Sequence, residues 1–128
     1  MKIIVLAGGL SPELDVSLTS GAGICRTLRE NGHQAFLMDV YMGYPCDSGK
    51  LEEVFSLPGA GLEIAESIKT TAPDLEALKR SRPGDSQSLI GPNVIELCRM
   101  ADITFMGLHG SIGEDGKLQA TFDVLGIR

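Results

Sequence analysis

Apolar residues run unbroken through Lys2-Ile3-Ile4-Val5-Leu6-Ala7 and recur from Gln34 to Val40, with a helical pattern between the two runs. Continuous rather than alternating apolarity predicts strands buried on both faces, as in a parallel sheet. The intervening helix is predicted to begin near Ser11-Pro12. There Ser suits the N-cap, and Pro at the first helical position forgoes an N–H that has no partner anyway. It is predicted to stop at Asn31-Gly32, a common C-terminal pair. Within it Val16, Gly23, Ile24 and Leu28 offer one apolar face, and Ser17, Ser20, Gly21 and Gly23 stay small where backbone must approach a strand or a ligand. Strand, helix, strand is the βαβ pattern. Residues 43–92 differ: repeated Gly and Pro interrupt short amphipathic pieces, which predicts a surface insertion with brief helices at Leu51–Phe55 and Asp74–Lys79. Regular pattern returns with a helix over Asn93–Cys98 and a strand over Asp102–Leu108 that reads as central and buried. That strand hands over to His109-Gly110. A last helix over Lys117–Leu125 places Leu118, Phe122 and Leu125 on one face and ends at Gly126. The expected fold is one three-layer α/β/α domain spanning residues 1–128, built on a Rossmann-like parallel sheet.

Composition narrows the partners. The 128 residues suit a single domain, and a hydrophobic content of 43% suffices for one core. A net charge of −6 and a pI near 4.8 disfavour nucleic acid and anionic membrane, both of which repel an acidic protein, and point to a small molecule. No apolar run approaches the roughly 18 residues that span a bilayer, and the apolar start is too short for a signal peptide, so a cytoplasmic protein is expected. Cys25, Cys46 and Cys98 lack C-x-x-C spacing and nearby His ligands, and read as reduced structural thiols.

Candidate chemistry gathers in two Gly-rich stretches where a strand's carboxyl end meets a helix, Gly8-Gly9-Leu10-Ser11-Pro12-Glu13 and His109-Gly110-Ser111-Ile112-Gly113-Glu114-Asp115-Gly116. In open α/β sheets ligands bind at that edge. Glycines there let backbone N–H groups face inward, and a helix N-terminus favours an anion, so each turn is an expected anion cradle. A dinucleotide site, with Asp39 as its ribose carboxylate, fails on spacing. Leu10 and Glu13 occupy the positions where G-x-G-x-x-G needs glycines, and the Glu13 carboxylate would repel a pyrophosphate. No Gly-Lys-Ser or Gly-Lys-Thr P-loop occurs. Glu13 therefore reads either as a carboxylate for an ammonium group or as compensation of the helix dipole. His109 reads as a ligand-facing imidazole or a hydrogen-bonded structural one. Glu114 either orients His109 or caps the following helix, in competition with Asp115. His33, at a helix end, reads as an exposed capping residue.

Taken together, Ala7-Gly8-Gly9-Leu10-Ser11-Pro12-Glu13-Leu14-Asp15-Val16-Ser17-Leu18 and Leu108-His109-Gly110-Ser111-Ile112-Gly113-Glu114-Asp115-Gly116-Lys117-Leu118-Gln119 resemble the two N-terminal signatures of D-alanine–D-alanine ligases. The resemblance covers residues 1–42 and 93–128. It implies the pre-ATP-grasp domain of a bacterial, cytoplasmic ATP-grasp ligase that makes the D-alanyl-D-alanine dipeptide for peptidoglycan, with D-alanine as substrate and a homodimer as its assembly. It further implies that Glu13 binds the first D-alanine's ammonium and that His109 contacts its carboxylate and the acyl phosphate derived from it. Glu114 would support His109, and Val16, Ser17 and Gly110 would complete the substrate contacts. Leu14 departs from the family pattern, which usually carries a basic or polar residue there. ATP and magnesium are the implied cofactors, but the family's residues for them lie downstream of these motifs, so the 128 residues alone are expected to be inactive. Two other readings compete: the first domain of a different ATP-grasp carboxylate–amine ligase, and a non-catalytic amino-acid-binding or dimerisation module.

Overall fold

A computed structural model describes residues 1–10, 13–44, 48–57, 59–66, 75–81, 88–108 and 116–128. Strand β1 (Lys2–Ala7) lies at the centre of a parallel sheet, with β2 (Gln34–Asp39) on one side and β3 (Ile103–Met106) on the other. The register runs from Lys2 opposite Gln34 to Ala7 opposite Asp39, and from Ile3 opposite Ile103 to Leu6 opposite Met106. All three carboxyl ends thus share one edge. Helix α1 (Leu14–Glu30) joins β1 to β2. Further on come a 3-10 helix (Ser48–Ser56), α2 (Glu63–Glu66), α3 (Leu75–Ser81), α4 (Val94–Met100) and, after β3, α5 (Lys117–Leu125).

The period of two along each strand divides the core between two faces. Ile4 and Leu6 of β1, with Phe36 and Met38 of β2, pack under Val94 and Leu97 of α4, Leu51 and Phe55 of the 3-10 helix, and Leu118 and Phe122 of α5. Ile3, Val5, Ala7, Ala35 and Leu37 face the other way, against Leu14, Leu18, Ala22 and Cys25 of α1. Helices therefore cover both faces of the sheet, and the expected Rossmann-like α/β/α layering is what forms.

Four local readings are corrected. Helix α1 begins at Leu14 rather than near Ser11-Pro12, a pair that lies outside the described residues. Its buried stripe is Leu14, Ser17, Leu18, Gly21, Ala22 and Cys25, with Ile24 and Leu28 partly buried beside it. Val16 is 59% exposed and Gly23 faces open space, because at about 100° per residue both fall outside the stripe that begins at Leu14. Strand β3 is shorter than predicted and is not buried on both faces, while its outer side receives the end of the chain, Thr104 N–H donating to the Arg128 carbonyl at 2.6 Å. Ile103 and Phe105 are 43% and 45% exposed, because α1 sits over β1 and β2 and leaves that side of β3 bare.

The surface reading of residues 43–92 also fails in part. Leu51, Val54, Phe55 and Ala60 are buried, and the Ala60 carbonyl accepts a hydrogen bond from Leu37 N–H at 2.8 Å, closing the outer edge of β2. The chain leaves and returns at one place: Gly91 N–H donates to the Val40 carbonyl and Tyr44 N–H to the Pro92 carbonyl. Periodicity could not reveal this. The apolar positions of one short 3-10 helix are too few to distinguish core from surface.

Candidate functional site at the carboxyl edge of the sheet

Strand order β2-β1-β3 means that the chain moves to one side of β1 first and to the other side later. The crevice beyond the carboxyl ends of β1 and β3 is then the topological switch point, where open α/β sheets bind ligands. The turn after β1 and the chain leaving β3 meet there. Ser17 ties them together. Its Oγ accepts from Gly8 N–H at 2.9 Å, and its hydroxyl donates to the Gly107 carbonyl at 2.7 Å. Ser17 is fully buried, so one hydroxyl on α1 sets the spacing of both turns from beneath. Gly107 N–H in turn bonds the Leu6 carbonyl at 2.8 Å, extending the β1–β3 pairing into the turn.

Asp39 holds the same turn from the opposite side. It is the last residue of β2, 9% exposed, and its Oδ1 accepts from Gly9 N–H at 3.1 Å, Tyr41 N–H at 2.8 Å and Met42 N–H at 3.2 Å. Burial pushes the carboxyl above its ordinary value, and the three backbone donors oppose that push. Gly8 has φ +72°, and a Cβ there would collide with the Asp39 carboxylate, so both the backbone conformation and the space require glycine. One expectation changes as a result. The Gly8 and Gly9 amides are engaged by Ser17 and Asp39, so they do not form the anion cradle that the Gly-Gly pair implied.

Glu13 stands at the N-cap of α1, exposed, with its carbonyl accepting from Ser17 N–H at 3.0 Å and no capping hydrogen bond from its side chain. The structure brings Glu13 and Ser17 within one helical turn, directly beside the crevice. Val16 lies on the exposed face of the same turn. Leu14, the departure from the family pattern, is 7% exposed and packs into the core beneath α1, so its side chain is part of the hydrophobic layer. His109, Gly110 and Glu114 lie outside the described residues, as does Cys46. Leu108, the last described residue before them, is half-buried against the core at this edge. His33 is partly buried, with its backbone N–H bonding the Leu28 carbonyl at the end of α1. Among the described residues no group of three or more His, Cys, Asp or Glu side chains gathers to hold a metal ion.

Sequence reasoning weighed Asp39 only as a ribose ligand and missed its bracing role. A signal was present. An Asp ending a strand immediately before a turn is suited to accept from N–H groups two and three residues on, as Asp39 does from Tyr41 and Met42.

A parallel sheet clothed by helices on both faces, with paired turns at its switch point, defines a small Rossmann-like α/β domain. Comparison with known proteins takes this further: the D-ala D-ala ligase N-terminus family matches residues 2–128, and the chain belongs to that family. Over its whole length it is 43% identical to a D-alanine–D-alanine ligase of Lacticaseibacillus casei, of which it covers 35%. It is 40% identical to the ligase of Pediococcus pentosaceus, covering 36%, and 32% identical over 99% of its length to that of Halalkalibacterium halodurans, covering 26%. The chain thus spans about a third of the length of the first two of these curated relatives. No described helix is long and apolar enough to cross a membrane.

Proposed function

We propose that this chain is the substrate-side domain of an ATP-dependent D-alanine–D-alanine ligase that makes the D-alanyl-D-alanine dipeptide for peptidoglycan in the bacterial cytoplasm, as a homodimer. ATP would supply the phosphoryl group that converts the first D-alanine's carboxylate to an acyl phosphate, which the second D-alanine's amine attacks, forming the amide bond and releasing phosphate. The residues of this chain bind and orient. Glu13 pairs with the first D-alanine's ammonium. His109 and Gly110 lie against its carboxylate, where an imidazole and backbone donors stabilise charge as it develops. Glu114 holds the imidazole in one orientation, and the Val16-Ser17 stretch forms the floor beneath the amino acid.

The observation that carries this reading is the Ser17 bridge between Gly8 and Gly107, which holds the turn after β1 and the chain leaving β3 at one crevice. A zwitterionic amino acid needs a carboxylate and a cationic or donor group a few ångströms apart, and the meeting of the β1 and β3 exits at a switch point supports such an arrangement. With the Gly8 and Gly9 amides engaged by Ser17 and Asp39, the exposed Glu13 carboxylate is the charged side chain this turn offers, which suits an ammonium group. Phosphoryl transfer requires cations and metal to neutralise the transferring group, so the remaining two thirds of the ligase would supply them.

Phosphate release from ATP and magnesium by the full-length parent, with D-alanine compared against L-alanine, tests the reading. Turnover is expected with D-alanine only, reduced by about two orders of magnitude or more in Glu13→Gln and His109→Ala. Release driven equally by L-alanine, or unaffected by both substitutions, would overturn it.

A further inference from the structure

We propose that Asp39 is a positioning residue of the substrate crevice, holding the Gly8–Gly9 turn in the one geometry that presents Glu13 to the amino acid. The proposal rests on the ligase reading and adds to it a residue that neither the sequence motifs nor the family match assigns. Asp39 belongs to β2, away from both signature motifs, yet its carboxylate reaches across the sheet edge to Gly9 N–H while Ser17 grips Gly8 N–H from the other side. The turn is thus fixed at two consecutive amides by two side chains from different elements. A carboxylate is a costly choice for such a place. Burial opposes its charge, and a neutral Asn or Ser would end a strand and make a turn with less desolvation. What the carboxylate adds is an acceptor strong enough to collect three backbone donors on one oxygen. The fit is close on the turn's side as well, since any side chain at Gly8 would displace it. Gly8 N–H bonds Ser17 Oγ and Ser17 N–H bonds the Glu13 carbonyl, so a shift of the turn reaches the start of α1 and its N-cap carboxylate through Ser17.

The test uses the full-length ligase with Asp39→Ala and Asp39→Asn. Kinetics are read separately for D-alanine and ATP, and hydrogen exchange is read on the peptide containing Gly8 and Gly9. Asp39→Ala is expected to raise KM for D-alanine about tenfold or more, leave KM for ATP within about twofold, and speed exchange at Gly9. Asp39→Asn keeps the shape and one acceptor oxygen, so it is expected to fall between wild type and Asp39→Ala on both readouts, and it carries the test alone if the alanine variant fails to fold. A KM for D-alanine within about twofold of wild type in the folded variants, with melting temperature lowered or not, overturns the proposal. If the wild-type enzyme does not respond to D-alanine, the ligase reading fails on that control. Asp39 is then judged by exchange at Gly9 and by KM for whichever amino acid drives phosphate release, and unchanged values overturn it.

Discussion

Among the described residues, Asp39 and the cysteines Cys25 and Cys98 are the titratable groups that burial perturbs most clearly, and each gives a measurable consequence. The carboxyl of Asp39 lies above its ordinary 3.8, with desolvation as the largest cause. The folded state therefore holds that proton more tightly than the unfolded chain. The resulting contribution to stability is fully present below pH 3.8 and is lost as pH rises through the folded value. Urea unfolding at stepped pH is expected to show the stability of wild type falling relative to Asp39→Asn from about that pH upward and then levelling. A difference independent of pH would mean that the carboxyl is not perturbed. Burial pushes the Cys98 thiol up to about 11 and raises Cys25 as well. At neutral pH both are thiols rather than thiolates and are shielded from reagent. Iodoacetamide at pH 7.5 followed by peptide mapping is expected to leave both unmodified until denaturant is added, and rapid labelling of either in the native protein would contradict their burial. The structural reading of Cys25 and Cys98 came from helical pattern alone, since an apolar stripe at helical spacing is legible without coordinates. Asp39's three backbone partners were not, because two sit in a turn and the third comes from a different strand's exit.

Helix α1 shows where element-level reading succeeds and where it slips. Its end at Asn31-Gly32 was legible, because Gly32 takes φ +90° and the Asn31 and Gly32 amides bond back to the last turn. Its buried face was rotated, because the sequence offers several small and apolar positions and only docking on the sheet selects among them. Gly21 and Gly23 make the distinction testable. A Cβ at Gly21 would lie 2.8 Å from Ala7 Cβ and 2.9 Å from Leu37 Cδ1, so Gly21→Val is expected to lose about 2–3 kcal/mol by overpacking the contact between helix and sheet. Gly23 has nothing within 4 Å, and Gly23→Ala is expected to gain about 0.5–1 kcal/mol by restricting the unfolded chain and improving helix propensity. Thermal or urea denaturation of the two variants separates these outcomes, and equal effects would mean that α1 does not pack through Gly21.

Over the whole molecule, the segment between β2 and α4 contributes to the core rather than merely decorating it. Phe55 is 1% exposed among Ile4, Leu6, Phe36 and Leu97, and Phe55→Ala is expected to cost about 3–5 kcal/mol, as deletion of a core ring does. A loss below about 1 kcal/mol would restore the surface reading of that stretch. The sequence by itself determined the layered α/β class, the strands β1 and β2, the helices α1, α4 and α5 that flank the sheet, and the Gly-rich turn after β1. These rest on local periodicity and turn chemistry, which act over a few residues. Only the tertiary structure decided that one face of β3 stays exposed, that a 3-10 helix fills one core, that Gly8 and Gly9 donate inward, and that Asp39 and Ser17 clamp one turn from opposite sides. Each of those depends on which distant segments come to lie against one another, and pairing between residues 30 to 90 positions apart leaves no periodic trace in the chain.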